Sequence, residues 1–247
     1  MKTLAWCAVA VLAALGAASA VTRTIAVSRA LGGAPAAEVS PLDVEYQRQI
    51  TSFLGLEEGS ARYRAIDQDF KDGSLKYNSL PVVMLLHVVP GAVFLLAAPL
   101  QLIARVRRHT AVHRSLGYLL LTLAIPFAVT GLYIGVRQPM FGPVGATAVV
   151  LLGCSFIYAG VRAYVAIRAG DRVSHRAWML RFLALAYAIA VMRALSMVAF
   201  MLFPVSMHDI GAALFWIGPI VSALAAEWWI RRTLPAPITA RPAPALP

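Results

Sequence analysis

Long apolar runs, separated by short polar or basic connections, dominate the chain from residue 80 onward. Each run meets the length of about 20 largely apolar residues that a helix needs to cross about 30 Å of hydrocarbon. Five such runs lie near residues 80–104, 114–136, 143–167, 177–203 and 210–230. The pattern therefore predicts an all-α fold in which five helices span a membrane.

A sixth apolar run, from Leu4 to Val21, is also long enough to span a membrane. It ends in the Ala-Ser-Ala of residues 18–20, which has the small-residue form of a signal-peptidase site. Only Lys2 carries charge ahead of it, so the basic region typical of a signal peptide is weak. We therefore favour an uncleaved anchor over residues 1–21. The sequence predicts an integral membrane bundle of six transmembrane helices, or five if the N-terminal segment is a cleaved signal.

Residues 22–79 lie outside the predicted bundle and form an extracytoplasmic region. Ser40-Pro41-Leu42-Asp43 has the form of an N-cap followed by proline at the first helical position, which predicts a short surface helix. Residues 67–78 are polar and carry the turn signal Asp72-Gly73. This region forms either a small cap over the bundle mouth or a solvated loop, and we favour the loop.

The five-helix membrane domain then covers residues 80–232. The tail at 233–247 is rich in proline and alanine and has little that can pack, so we expect it to be disordered. Cys7 and Cys154 both lie within apolar runs, which gives neither a disulfide framework nor a CxxC redox pair.

Composition supports a membrane protein, since 60% of residues are hydrophobic and 13% are charged. The net charge of +11 comes from arginines gathered in three segments that flank the apolar runs. Their members are Arg105, Arg107, Arg108 and Arg114; Arg168, Arg172 and Arg176; and Arg231, Arg232 and Arg241. The positive-inside rule makes these segments cytoplasmic.

This charge distribution predicts the topology and the partners. Both termini lie on the cytoplasmic side of the inner membrane, and the lipid bilayer is the expected partner. Residues 21–80 carry seven Lys/Arg and eight Asp/Glu, a net charge of −1, as expected of the outer side. No aromatic-interleaved basic groove indicates nucleic acid. Nucleophile elbows, phosphate loops and HExxH motifs are also absent from the sequence, so hydrolase and phosphotransfer chemistry have no support.

Polar and small residues inside the apolar runs share helix faces at 100° per residue. We number the predicted helices in chain order, with the N-terminal run as the first. On the second, at residues 80–104, the face holds His87, Gly91, Gln101 and Arg105. On the third, it holds His113, Gly117, Ala124, Gly131 and Gly135. On the fifth, it holds His175, Met179, Phe182, Ala186, Arg193 and Met197.

His113 and His175 begin two predicted helices at the same edge of the membrane. Small residues beside a histidine have two interpretations. They allow helix backbones to approach closely, which is the commonest way that membrane helices associate. They also leave room for a flat macrocycle whose iron is held by histidines from facing helices. The spacing alone leaves both interpretations open.

Arg193 is costly in a membrane, by about 2.5–3.5 kcal/mol at a helix centre on insertion scales. We therefore expect its guanidinium to point into the bundle, near His87 or Gln101, and to have a partner. A haem propionate, an anionic substrate, a lipid phosphate and the carbonyls freed at Gly218-Pro219 are the candidate partners. Glu227 lies at the depth of Arg181, which predicts a structural ion pair.

The chain resembles the uncharacterised bacterial multi-pass proteins of domain of unknown function 2306 over roughly residues 80–205. The resemblance rests on His87-x3-Gly91, Gln101, the basic turn from Arg105, His113-Arg-x-x-Gly-Tyr and His175-Arg-x-Trp-Met-x-Arg181. It implies a membrane fold and no established activity.

A more distant similarity is to the diheme transmembrane cytochromes b of the ascorbate-dependent reductase class. This similarity implies that His113 and His175 are the axial ligands of a cytoplasmic-side haem b, the only metal role expected for them. The pattern departs on the fourth helix, which has no histidine to pair with His87, so the resemblance implies at most one haem.

Two functional hypotheses follow. The first is one-electron transfer with a redox partner through a b-type haem held by His113 and His175, with His87 and Arg193 tuning the outer side. The second is a non-redox membrane protein, either a small-solute or proton pathway or an assembly partner. In that case His87, Gln101 and Arg193 form a polar relay.

Overall fold

The computed structural model describes residues 2–33, 39 and 41–234. In these ranges the chain is helical and forms no strand. The helices are α1 (Lys2–Leu31), α2 (Pro41–Phe53), α3 (Ala61–Asn78), α4 (Pro81–Ala97), α5 (Ala104–Arg108), α6 (Thr110–Arg137), α7 (Gly142–Arg168), α8 (Arg172–Ala186), α9 (Ala188–Leu202) and α10 (Met207–Thr233). A 3₁₀ turn, Ala98–Leu102, follows α4. The predicted N-cap Ser40 and the tail at 235–247 lie outside the described residues.

The predicted spans are confirmed as an all-α bundle. Five segments are long and apolar enough to cross a membrane: Trp6–Leu31, Pro81–Leu102, Thr110–Arg137, Gly142–Arg168 and Met207–Thr233. Helices α8 and α9 meet the same criteria together as a pair bent by 44°, which gives up to six spans. Around the bundle, α1, α4, α6, α7, α10 and α9 pack each against the next, and α9 closes the ring on α1. Helix α8 packs against α7 and α10.

Many large apolar side chains of the bundle lie on its outside, and its interior combines small residues with a few large ones. On α4, the exposed face holds Val82, Leu86, Val89, Val93 and Leu96. The opposite, buried face includes Met84, Gly91 and Phe94. This arrangement suits a lipid solvent, in which close backbone approach replaces hydrophobic burial as the main packing force.

The second predicted helix is not continuous to residue 104, so the expected placement of Arg105 on the stripe of His87 is wrong. Pro99 has no N–H to donate to the carbonyl of Leu95 four residues earlier. The backbone tightens into the 3₁₀ turn and then becomes extended at Ile103, which has ψ 125°. Arg105 therefore belongs to a separate short helix, α5.

The fifth predicted helix is also broken, so His175 and Arg193 do not share one straight face. The break lies at Tyr187, between α8 and α9. The Tyr187 hydroxyl donates a hydrogen bond of 2.5 Å to the carbonyl of Leu95. This is the carbonyl that Pro99 leaves without its usual partner, so the two irregularities meet and satisfy each other.

Helices α2 and α3 form a cap at one end of the bundle, which corrects the preference for a solvated loop. Helix α2 begins at Pro41, as the sequence predicted. Helix α3 runs through Asp72 and Gly73, so the expected turn there does not form. Arg23 of α1 contacts Asp43 of α2 at 3.2 Å, and Ser74 of α3 donates to the same carboxylate at 2.5 Å.

The cap is fastened to the turn between α9 and α10. Arg62 donates to the carbonyls of Phe200 and Phe203 at the end of α9. Asp69 accepts a hydrogen bond of 2.7 Å from the backbone N–H of Met207 at the start of α10. A cation at a helix C-terminus and an anion at a helix N-terminus both match the helix dipole. At the same turn, Ser206 and Asp209 form a capping box, so Asp209 is a helix cap.

Asp69 should stabilise the fold as the N-terminal cap of α10. Asp69→Ala should lower the free energy of unfolding by about 1 kcal/mol, as for a lost N-cap residue, and Asp69→Asn should recover most of that loss. The measurement is unfolding of the purified protein in detergent. The control is Asp72→Ala, on the exposed side of the same helix, and an equal loss in both alanine variants would contradict the cap.

The same residue should contribute a pH dependence. Burial raises the pKa of Asp69 above its ordinary value of 3.8. The folded state therefore binds this proton more tightly than the unfolded state does. The resulting stabilisation is complete below pH 3.8 and is lost as the pH rises through the raised pKa. The difference in unfolding free energy between wild type and Asp69→Asn should follow that course across this window.

Candidate functional site: a capped cavity in the bundle

A cavity of about 240 Å³ lies between the helices of the ring, at the end that carries the cap. Its walls come from α1, α4, α6, α7 and α9, with Phe215 of α10 and Tyr77 of α3 near the mouth. Its polar lining residues are Ser19, Arg23, Tyr77, His87, Gln138 and Arg193. None of the lining residues that the structure describes is acidic.

His87 lines the cavity and is held against α6. Its Nδ1 lies 2.9 Å from the carbonyl of Phe127, and since a carbonyl only accepts, Nδ1 carries the proton. The His87 ring also stacks on the Phe127 ring, with centroids 4.8 Å apart. Gly131 permits this contact, because a Cβ there would lie 2.9 Å from Cε1 of His87. In the neutral ring, Nε2 is therefore the acceptor available to the cavity.

Arg193 lines the same cavity, and its Nη1 donates to the hydroxyl of Ser19 on α1. Tyr46, Tyr77, Arg23 and His87 lie close enough to interact with its charge, and none of them carries a carboxylate. Across the described ranges, 2–33, 39 and 41–234, no carboxylate forms an ion pair with Arg193. The partner that the sequence suggested at Gly218-Pro219 is not the one observed.

Arg23, the second cation of the cavity wall, is neutralised by protein. It forms the ion pair with Asp43, whose carboxylate is 6% exposed. Its guanidinium carbon also lies 4.8 Å from the ring centroid of Tyr77. The charge that remains for a bound molecule is therefore that of Arg193.

Four phenylalanines close the cavity toward the middle of the bundle. They are Phe94 on α4, Phe127 on α6, Phe156 on α7 and Phe182 on α8. The ring centroids of contacting pairs lie between 4.3 and 6.4 Å apart. Phe127 and Phe156 face the cavity, whereas Phe94 and Phe182 are almost fully buried beneath it. We call this set the phenylalanine layer.

Gln101 lies on the far side of the phenylalanine layer from His87, so the structure does not bring together the predicted relay. The two residues are 14 positions apart, about 20 Å along the chain at helical rise. Phe94 is midway between them. Gln101 donates from Nε2 to the carbonyl of His113, 3.0 Å away, and its Oε1 is buried without a described partner. His87 and Arg193 share the cavity, and Gln101 does not line it.

His113 and His175 do lie near each other at that opposite end, close enough for their charges to interact. Nδ1 of His175 is 2.8 Å from the carbonyl of Ala163, which leaves Nε2 as the free nitrogen. Nδ1 of His113 is buried and has no hydrogen-bond partner among the described residues. Metal-ligating histidines commonly donate their second nitrogen to a carbonyl, so the orientation of His175 suits a ligand.

Part of the small-residue face of α6 near His113 is contacted by protein. A Cβ at Gly117, four residues after His113, would lie 3.4 Å from Nε2 of Gln101 in the 3₁₀ turn. Leu120, one turn beyond Gly117, is fully buried. Close helix packing accounts for these contacts, and a haem at this end stays a prediction.

The predicted pair of Arg181 and Glu227 is confirmed. Nε and Nη2 of Arg181 contact the two carboxylate oxygens of Glu227 at 2.5 and 3.1 Å. The Arg181 guanidinium also lies over the ring of Trp178, at 4.6 Å from the centroid. This pair joins α8 to α10 at the end away from the cap, where it serves the structure.

Sequence reasoning missed Ser19, Arg23 and Tyr77 as parts of the site. Ser19 was interpreted as the centre of a cleavage motif, but α1 continues through residues 18–20 to Leu31. Arg23 and Tyr77 lie outside the apolar runs. Helical periodicity within those runs does not predict which residues of the cap region face the bundle. The available signal was charge, since Arg23 is the first cation after the N-terminal run.

The fold and the cavity define the class: a multi-span helical membrane protein with a capped polar site. The family described as predicted membrane protein DUF2306 matches residues 84–230, more than half of the chain. The chain belongs to this family. No curated protein matches it, and no solved structure does either. The likeness to diheme cytochromes b stays a prediction, as do the inner-membrane location and the cytoplasmic side of both termini.

Gly131→Ala should destabilise the protein by about 1–3 kcal/mol, the usual cost of overpacking a tight site. The new Cβ would push His87 away from the Phe127 carbonyl. Combining it with His87→Ala should remove that extra cost, as measured by unfolding in detergent. Gly117→Ala, which meets only the amide end of Gln101, is the control. Equal cost with and without His87 would disprove the contact.

Proposed function

We propose that the protein binds a small solute within the membrane, in the cavity beneath the α2–α3 cap. The observation that carries the proposal is the placement of Arg193 in a largely apolar cavity, where its hydrogen-bond partner among the described residues is the neutral hydroxyl of Ser19. A cation in a membrane interior is expensive and marks functional sites. Binding of a solute that complements the arginine would offset that cost.

The polar contacts of the solute would come from three helices of the ring. Arg193 supplies donors from α9, Ser19 supplies a hydroxyl from α1, and Nε2 of His87 supplies an acceptor from α4. Phe127 and Phe156 supply the apolar floor. Few polar groups within a mostly apolar wall is the usual composition of a small-molecule site.

The phenylalanine layer favours binding over continuous conduction in this conformation. It lies between the cavity and the group formed by Gln101, His113 and His175, and its rings are packed against one another. A proton or polar solute that enters from the cap end meets this layer before it reaches the opposite end. Of the non-redox alternatives, a solute site is the one that the geometry supports.

Electron transfer through a b-type haem at His113 and His175 is the second candidate. Its support is the free Nε2 of His175, set by the hydrogen bond of Nδ1 to Ala163, beside a second histidine. If bound there, haem would supply one-electron chemistry. The contact of Gln101 with α6 at Gly117 counts against it, because a macrocycle beside His113 would have to displace that side chain.

A cysteine introduced at Ala92, on the cavity wall, should react with a water-soluble thiosulfonate added from the cap side. Ala92→Cys would be made in a Cys7→Ser, Cys154→Ser background, and labelling would be followed by intact mass. The control is Val93→Cys on the lipid-facing side of α4, where Val93 is 41% exposed in the isolated chain. Labelling of Ala92→Cys no faster than the control would contradict a solvent-accessible cavity.

The haem candidate has a spectroscopic test. From the packing around α6 we expect no reducible Soret band in protein purified in detergent after expression with haem supplied. A band that is lost in both His113→Ala and His175→Ala, and kept in the His109→Ala control, would establish the haem site instead. A band that survives both single substitutions would remove these histidines from that role.

A further inference from the structure

The charges around the cavity specify its solute more narrowly. Two guanidinium groups line the wall, and Asp43 neutralises that of Arg23. Arg193 has no acidic partner in the described part of the chain, and only Nη1 of its guanidinium is engaged, by Ser19. One positive charge with several free donors is left facing the cavity. A single negative charge on the solute would balance it.

The shape of the donor group favours a carboxylate. Arginine presents a planar fork of N–H groups that binds the two oxygens of a carboxylate in a bidentate manner. With Nη1 engaged by Ser19, Nε and Nη2 remain for the two oxygens. A group with two negative charges, such as a phosphate monoester, would leave one charge unbalanced in the membrane interior.

The rest of the wall calls for an apolar body. Below Arg193 the lining consists of aliphatic and aromatic side chains, among them Leu95, Phe127, Leu152 and Phe156. The volume of about 240 Å³ is below the range of about 300–1,000 Å³ that is usual for drug-sized ligands. The body of the solute must therefore be short.

The depth of Arg193 separates a free molecule from a lipid headgroup. Arg193 precedes the end of α9 at Leu202 by nine residues, which is about 14 Å at 1.5 Å per residue. A headgroup phosphate at the membrane surface would have to sink by that distance. A short amphiphile can place its anionic group at this depth without such a displacement.

We propose that the cavity recognises a free, short-chain amphiphilic monocarboxylate, with its carboxylate on Arg193 and its apolar chain against the phenylalanine layer. This inference rests on the proposed solute-binding function and adds the chemical class of the solute. The juxtaposition that carries it is one unpaired guanidinium above an apolar pocket closed at its base. His87 beside it accepts a hydrogen bond from water or from a hydroxyl on the solute.

The test is binding of octanoate to the full chain in neutral phosphatidylcholine nanodiscs, measured by calorimetric titration. Octanoate should bind at least 10-fold more tightly than acetate, which lacks the apolar body, or octyltrimethylammonium, which has the opposite charge. Arg193→Gln should weaken octanoate binding at least 10-fold. The control is Arg137→Gln, which removes one positive charge from an exposed position at the C-terminal end of α6. This variant should leave octanoate binding unchanged.

A second pair of variants keeps the test informative if Arg193→Gln does not fold. Ala92→Phe fills the cavity while it keeps the arginine, so it should abolish octanoate binding. Val93→Phe adds the same ring on the lipid-facing side and should not. Binding that is equal for octanoate and octyltrimethylammonium, or that survives Ala92→Phe, would overturn the proposal.

A separate measurement tests whether a lipid headgroup, and not a free carboxylate, is the ligand of Arg193. If phosphatidic acid in the nanodisc stabilises the protein through Arg193 and octanoate does not bind, the assignment to a free carboxylate is wrong. Labelling of Ala92→Cys without octanoate binding would overturn the monocarboxylate alone and leave the solute cavity standing. Absence of both would overturn the two proposals together.

Discussion

The contact of four phenylalanine rings is the interaction on which the arrangement of this bundle depends. One ring comes from each of α4, α6, α7 and α8. Two of the four residues, Phe94 and Phe182, are at most 1% exposed. The layer sets the spacing of these helices and divides the interior into two unlike ends. Immediately beside it, the Tyr187 hydroxyl meets the Leu95 carbonyl, so a bent span and a proline-tightened helix are locked at the same level.

The two ends handle charge in opposite ways. Away from the cap, Arg181 and Glu227 neutralise each other in a bidentate pair, so neither of these two charges is left for a ligand. At the cap end, Asp43 neutralises Arg23, and no carboxylate in the described part of the chain pairs with Arg193. A membrane protein can keep an unpaired cation only where water, a ligand or a dipole reaches it. The cavity provides that access.

Much of the bundle could be predicted from the sequence, because 20-residue apolar runs have one stable solution in hydrocarbon. The inward direction of Arg193 and the pairing of Arg181 with Glu227 followed from the cost of charge. The sequence could not show that Gln101 lies apart from His87 and Arg193. Helical periodicity assumes a straight helix, and the helix of His87 ends near Pro99. Ser19 was not recognised as a site residue because the Ala-Ser-Ala of residues 18–20 also has the form of a signal-peptidase site. A solvated loop was preferred to the cap because Asp72-Gly73 favours a turn locally, whereas contacts with distant segments hold α3 helical.

The fastening of the cap has a consequence for the order in which the chain is built. Asp69 completes the first turn of α10 through Met207, a residue 138 positions later. Arg62 caps the end of α9 across an equally long separation. During synthesis α3 emerges long before either partner exists, so these two contacts cannot form until the end of α9 and the start of α10 have been made. A chain truncated before α10 would lack the contact of Asp69 with Met207 and would hold the cap only through its other contacts, such as that of Arg23 with Asp43.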